Sequence, residues 1–286
     1  MVLRKQTFLV FLFLSIVIPL HAQTMADSLA ITSAKWITTT MKKGIICREA
    51  EIPFLYGVPQ HITLLEITPH RYKFDVLIHS PKQITSTAAR QSGAVAAING
   101  SYFNVKEGTS VCYLRKDGVV VDTTKNGTLS TVTTGAVEIH KGKLTLMSWN
   151  KAHEKTCKLK EGTILASGPL MLLDGKKQDL SACNQNFVET KHPRSAVVVT
   201  RDKKVLLIVV DGRFKGKAEG VNIPELTHLI KVLGGRDAIN LDGGGSSTLW
   251  CVSASANGVL NKPCDNKIYD NLGEREVANS LCVYEK

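Results

Sequence analysis

Two pieces of the second half decide the fold: VLLIVVDGR (Val205–Arg213) and AINLDGGGSS (Ala238–Ser247), joined through NIPELTHLIKVLGG (Asn222–Gly235). Val205 to Val210 is a short, unbroken apolar run, the pattern of a buried strand. Asn222 with Glu225 three residues on is a helix-capping pair. Ile223, Leu226, Leu229, Ile230 and Leu233 then make one apolar face, and Gly234-Gly235 stops the helix. Ala238 to Leu241 is a second strand. A helical connection normally returns the chain to a parallel strand, so both strands end on the same edge of the sheet. Asp211 and Asp242, each just past a strand, therefore belong on one edge, where open α/β sheets bind ligands. If the strands are neighbours, about 4.8 Å apart, the two carboxylates face one pocket. The reading is an α/β (mixed α+β) fold: mixed sheets, with a strand–helix–strand crossover carrying the site at strand C-terminal ends.

Upstream, Ala196 to Thr200 pairs with Val205 to Val210 through the turn Arg201-Asp202-Lys203-Lys204. Ile62 to Thr68 reads as a strand. Tyr72, Phe74, Val76 and Ile78 alternate as in a half-buried strand. Ile84 to Gln91 suits a short helix, and Ala94 to Ile98 a small buried strand ending at Asn99-Gly100-Ser101. Asp117-Gly118, Lys141-Gly142 and Asp174-Gly175 mark turns between further strands. Residues 23–60 are mixed and are left as an unassigned N-terminal extension before a domain at 61–286.

The start of the chain reads as an export signal, residues 1–22. Arg4 and Lys5 precede a mostly apolar run, Phe8 to Leu20, too short to span a bilayer comfortably. Ala22 suits the position before a cut. No other stretch is long and apolar enough to span, so an exported chain, periplasmic or extracellular, without stable membrane insertion is expected. The net charge of +11 is scattered in short lysine pairs. With no basic helix or aromatic strip, nucleic-acid binding is not expected. Seven cysteines include Cys251 and Cys264, which bracket a short polar loop and make the best candidate disulfide.

Three glycines after Asp242 let the backbone reach conformations closed to other residues and let a ligand approach. Their amides can form an anion nest, although a Gly-rich turn started by an aspartate is the plain alternative. Two carboxylates suit cleavage at a sugar carbon: one attacks, stabilises or activates water while the other handles a proton. Arg194 and Arg213 can grip phosphate or carboxylate with a planar fork, or pair with the aspartates. Asn99 and Asn240 can bond sugar hydroxyls or hold turns. Tyr102 and Phe103 can stack on a sugar face or join the core. His192 can serve as base, metal ligand or structural residue.

Taken in order, several motifs resemble those of the phosphodiester glycosidase family. They are Asn99-Gly100-Ser101-Tyr102-Phe103, Gly168-Pro169-Leu170, His192-Pro193-Arg194-Ser195-Ala196, Asp211-Gly212-Arg213, Asn240-Leu241-Asp242-Gly243-Gly244-Gly245-Ser246-Ser247 and Arg275-Glu276-Val277-Ala278-Asn279. The resemblance covers about residues 95–283. It departs at Asn222, where a Ser or Thr is expected, and at Ser101, where a second glycine is common; neither change removes a carboxylate or an arginine. The resemblance implies hydrolysis of a sugar-1-phosphodiester at the sugar–oxygen bond, giving free sugar and a phosphate monoester. In that scheme Asp211 and Asp242 serve the sugar carbon. Asn99, Arg194, Arg213, Asn240, Gly243, Gly244, Gly245 and Ser246 bind the substrate, a phosphorylated carbohydrate, and no cofactor is expected. Two rivals remain: a metal-dependent phosphodiesterase with Asp211, Asp242 and His192 as ligands, and a non-catalytic binder of anionic glycans.

Overall fold

The computed structural model describes residues 20–157, 161–254 and 257–286. The expected export signal falls outside them up to residue 19. A helix, Leu20–Thr32, begins there and contains Ala22.

The paired run Arg194–Thr200 and Val205–Val210 forms the centre of an eight-stranded sheet. The strand order from one edge is Ile37–Lys42, Ile45–Leu55, Val58–Ile67, Val205–Val210, Arg194–Thr200, Gly235–Asn240, Leu170–Leu173 and Lys176–Lys177. Every adjacent pair is antiparallel. A five-stranded sheet contains Gly135–His140 and Thr163–Ser167, and a four-stranded one contains Tyr72–Ile84, Ala96–Asn99 and Glu276–Glu285.

The apolar run of Val205–Val210 is explained by burial on both faces. Leu206, Ile208 and Val210 join a core with the helix residues Ile223, Leu226, Leu229 and Ile230. Val205, Leu207 and Val209 point the other way, into a second core shared with Phe74, Val76, Ile98 and Leu281. The helix Ile223–Val232 has the expected reciprocal cap: Asn222 accepts from the Glu225 amide at 2.9 Å, and Glu225 accepts from the Asn222 amide at 3.0 Å.

One expectation needs correction. The strands ending at Asp211 and Asp242 run the same way but are not neighbours. Arg194–Thr200 lies between them, antiparallel to both, so their ends are two interstrand spacings apart, roughly 9–10 Å. The intervening strand precedes Val205–Val210 in sequence through a tight turn, and a hairpin forms more readily than a direct parallel contact. Ile37–Lys42 and Ile45–Leu55 continue the sheet through Val58–Ile67, which pairs with Val205–Val210 along its whole length. Residues 37–60 were hard to read because their strands interleave buried and exposed positions irregularly.

Among the described residues no disulfide forms; all seven cysteines are free thiols. The expected Cys251–Cys264 pair fails because Cys251 is built into the second core, whereas Cys264 turns to the Arg213 guanidinium, whose Nη1 lies 3.9 Å from its sulfur.

Candidate active site

Asp242 leaves the sheet beside the start of the Arg194 strand. Its backbone amide bonds to the Gly100 carbonyl at 3.0 Å and its carbonyl accepts from Asn99 Nδ2 at 2.7 Å. Asn99 Oδ1 in turn accepts from Ser195 Oγ at 2.7 Å and the Thr248 amide at 3.2 Å. Asn99 is completely buried, so it clamps three segments together around Asp242. Asn240 plays a similar part: its Nδ2 donates to the Tyr102 hydroxyl and the Gly168 carbonyl, both at 2.9 Å.

The Asp242 side chain itself is half-buried. Burial raises its pKa from 3.8 to about 6. The Ser246 hydroxyl, the Gly243 amide and the charges of Arg275 and Arg194 pull the other way. The Gly243 amide donates to Asp242 Oδ1 at 2.9 Å. The Ser246 hydroxyl favours the charged form but makes no well-aligned hydrogen bond, although it is buried.

The glycine loop is not the open anion nest expected of it. Its Gly243 amide is taken by the Asp242 carboxylate and its Gly244 amide by the Pro193 carbonyl, at 2.9 Å. The Ser246 and Ser247 amides close a short 3₁₀ turn. The glycines serve close approach instead. Gly244 has φ +62°, and a Cβ there would stand 2.9 Å from Arg213 Nη2. A Cβ on Gly245 would collide with Asp265 and stand 2.6 Å from Arg275 Nη2. Two guanidiniums thus flank the loop. Arg213 is exposed and holds a left-handed backbone at φ 68°, a conformation seldom kept without cause away from functional or tight-turn positions. Arg275 is ion-paired with Asp265.

Arg194 lies beneath, 2% exposed. Its Nε donates to the Val221 carbonyl at 3.2 Å, and its Nη2 to the carbonyls of Phe187 and Thr190 at 2.8 and 2.9 Å. The guanidinium sits 4.6 Å from the Phe187 ring centroid. Burial lowers its pKa to about 10, which still leaves it charged at neutral pH, while Tyr102 and Asp242 act in the opposite direction. His192, half-buried two residues before Arg194, has its pKa lowered by burial and by the charges of Arg194 and Arg213.

Asp211 is placed differently. It is 1% exposed. Asn261 Nδ2 donates to its Oδ1 at 2.9 Å, and the Lys262 amide and His61 Nδ1 donate to its Oδ2 at 3.0 and 2.5 Å. The other His61 nitrogen donates to Glu49 Oε1 at 2.7 Å. Both partners of this imidazole are carboxylates, so it donates from both nitrogens as a cation. Burial alone would lower the His61 pKa; the bonds and charges of Asp211 and Glu49 raise it to about 9. The Asp211 carboxylate is thus enclosed, and it anchors the turn that presents Arg213.

Of the residues expected at the site, Asp242, Arg194, Arg213, the glycines and Ser246 come together, with Asn99 and Asn240 as their supports; Asp211 lies across one strand. Sequence reading missed His61, Glu49 and Asn261, which carry no local signature, and gave no role to Arg275 although its motif was in view. Among the described residues no three His, Cys, Asp or Glu side chains gather as a metal site. Asp211, Asp242 and His192 are not gathered into such a group.

Residues 92–284 match the phosphodiester glycosidase family. The chain belongs to this family. It is a family of hydrolases. A 101-residue stretch is 32% identical to mouse N-acetylglucosamine-1-phosphodiester alpha-N-acetylglucosaminidase; it spans 35% of this chain and only 18% of the mouse enzyme. In fold the phosphodiester glycosidase chain is similar to the zebrafish catalytic domain of the same enzyme, auto-inhibited by its pro-peptide (TM-score 0.65, 19% identity, 88% of each chain covered). It is also similar to a hypothetical protein from Synechocystis (TM-score 0.61, 14% identity, 89% of this chain and 64% of that one). No described helix is long and apolar enough to cross a membrane.

Proposed function

We propose that this phosphodiester glycosidase hydrolyses a sugar-1-phosphodiester at the sugar–oxygen bond, and that Asp242 is its catalytic carboxylate. The observation that carries the reading is a half-buried carboxylate with a pKa of about 6 set among Arg194, Arg213 and Arg275. The mouse relative's name points to the same bond. A base is most effective near its own pKa, so an aspartate lifted to about 6 suits proton abstraction close to neutral pH. Of the nearby aspartates, Asp211 is enclosed by three donors and Asp265 is held by Arg275. Asp242 is left to act on water.

In this scheme Asp242 takes a proton from a water molecule as its oxygen attacks the anomeric carbon. The carbon–oxygen bond to phosphate breaks, and the electron pair leaves with the phosphate monoester. Such a leaving group needs charge compensation more than protonation. Arg213 and Arg275, on either side of the glycine loop, are suited to supply it. Arg194 is bound to three backbone carbonyls and acts on Asp242 through its charge, which favours the ionised carboxylate. One displacement by water inverts the anomeric centre. Asp211 is a positioning residue for the Arg213 turn. The N-terminal sequence further supports export to the periplasm or beyond; recovery of the mature protein from the cytoplasm on fractionation would contradict that.

The test is product analysis by NMR after incubation with α-GlcNAc-1-phospho-methyl ester. Free GlcNAc, released first as the β-anomer, with methyl phosphate is the expected outcome. Release of the α-anomer first would replace direct attack by water with a covalent intermediate. GlcNAc-1-phosphate with methanol would overturn the reading altogether.

A further inference from the structure

Two carboxylates act on Arg275. Asp265 holds it directly: its Oδ1 accepts from Arg275 Nε at 3.0 Å and from Nη2. That hydrogen bond, followed by the charges of Asp265 and Asp242, raises the Arg275 pKa, with burial opposing. Arg275 in turn favours the ionised form of Asp242. The pair presses on the glycine loop, since a Cβ on Gly245 would meet Asp265 Oδ1 first and Arg275 next. The Cys264 pKa, raised chiefly by burial, also responds to the charges of Arg213, Asp265 and Arg275, and Arg213 Nη1 lies 3.9 Å from the Cys264 sulfur. An anionic oxygen of the protein therefore rests against the loop, beside the two guanidiniums suited to phosphate.

We propose that Asp265 is an internal counter-anion: it competes with the substrate's phosphate for Arg275 and, by taking Arg275 back after cleavage, releases the phosphate monoester. It is a positioning residue, acting through Arg275. The inference rests on the proposed function, in which Arg213 and Arg275 compensate the leaving group. The charge they face changes during the reaction. The diester is a monoanion, whereas a phosphate monoester carries about −1.5 to −2 near neutral pH. Two unopposed arginines would therefore hold the product more tightly than the substrate. A carboxylate that re-pairs with one of them offsets that excess.

The pair has the features of an exchangeable contact rather than a support. Other bonds fix both backbones. The Asp265 amide donates to the Gly273 carbonyl at 3.1 Å, and Asn266 Nδ2 donates to Asp270 Oδ1 at 3.0 Å, so the loop closes on itself. Arg275 follows Glu274, whose Oε1 accepts from the Ser86 amide at 3.0 Å, and precedes the strand Glu276–Glu285. The Arg275 and Asp265 side chains are 30% and 37% exposed, so solvent and an incoming anion can reach them, and pairs this open are weak. A single carboxylate oxygen takes both Arg275 bonds, short of the two parallel bonds that make arginine pairs strong. A phosphate brings one oxygen for each N–H.

The deciding experiment is calorimetric titration with methyl phosphate near neutral pH, in wild type, Asp265→Asn and Asp265→Glu, with steady-state kinetics on α-GlcNAc-1-phospho-methyl ester alongside. Asp265→Asn is expected to bind methyl phosphate about tenfold tighter, about 1.4 kcal/mol. Its KM for the less charged diester should fall by a smaller factor, with kcat no higher than that of the wild type. Asp265→Glu keeps the charge and should stay near wild-type affinity. Asp265→Ala removes the charge from the same exposed loop and serves if the asparagine variant fails to fold. Unchanged or weaker binding after loss of the charge, an equal gain in Asp265→Glu, or no detectable binding to any of these proteins would overturn the proposal. The titration needs no turnover, so the two readings fail separately. Failure to cleave the methyl ester refutes the glycosidase reading, whereas unchanged methyl phosphate affinity in a cleaving enzyme refutes only the role of Asp265.

Discussion

Replacing Asp242 by asparagine should slow turnover steeply and, at alkaline pH, make the protein more stable. The Asp242 carboxyl is held at about 6 rather than 3.8, with burial as the leading cause. A folded-state pKa above the unfolded one means that the native state binds more protons between those values. Stability therefore falls as pH rises through this window, and the full penalty is present above about pH 6. The gap corresponds to about 3 kcal/mol if the site were wholly dry. Asp242 is only half-buried, and solvent screening brings the expectation down to about 1–2 kcal/mol. Asparagine keeps the Oδ1 acceptor for the Gly243 amide and removes only the charge. Urea unfolding of both proteins at pH 8 and at pH 4 reads the difference directly. The variant should be more stable by about 1–2 kcal/mol at pH 8, with most of that gain gone at pH 4, while kcat falls by about 10²–10⁴-fold. A variant equally destabilised at both pH values would show that the ionised carboxylate is held by favourable contacts, and the strained-base argument would fail.

Three further outcomes follow from the geometry. The kcat/KM of the wild type should drop about tenfold per unit as pH falls below about 6, because the base works only when ionised; a flat profile down to pH 4.5 would remove Asp242 from that role. His61→Leu should destabilise by about 3–5 kcal/mol, since it leaves the Asp211 charge buried without its cationic partner. The His61 pKa is raised from 6.5 to about 9, so its contribution is complete below pH 6.5 and is lost as pH climbs through 9; a melting temperature that does not fall between pH 7 and 9.5 would contradict this. Gly244→Ala should cost about 1–2 kcal/mol from its left-handed backbone and push Arg213 aside, raising KM for a phosphodiester; an unchanged KM would mean that Arg213 does not hold the phosphate.

Local pattern made the helix Ile223–Val232 and the strands Val205–Val210 and Gly235–Asn240 readable, because period, caps and stops agreed within each piece. The ordered motifs grouped Arg213 with the glycine loop, and its guanidinium stands against Gly244. What sequence could not supply was the neighbour of each strand. The crossover rule correctly had two strands running the same way, but it is silent about a hairpin strand inserted between them. The fate of Asp211 depended on His61 and Asn261, 150 and 50 residues away in sequence. Two ordinary polar residues at that distance give no local signal that a carboxylate will be enclosed. The glycine loop misled for a related reason. Gly-Gly-Gly states that the backbone is crowded, but not whether an anion or an arginine does the crowding.

The family-matched segment is not a portable module. Cutting the chain ahead of residue 92 would strip Val58–Ile67 from the flank of Val205–Val210. The six residues VLLIVV would then form an open edge, apolar on both faces and with unpaired amides and carbonyls along one side. Such an edge is a template for strand addition by another copy, so a trimmed expression product should assemble into aggregates rather than fold as a smaller enzyme. Val58–Ile67, which lies ahead of the family-matched segment, is what closes that edge.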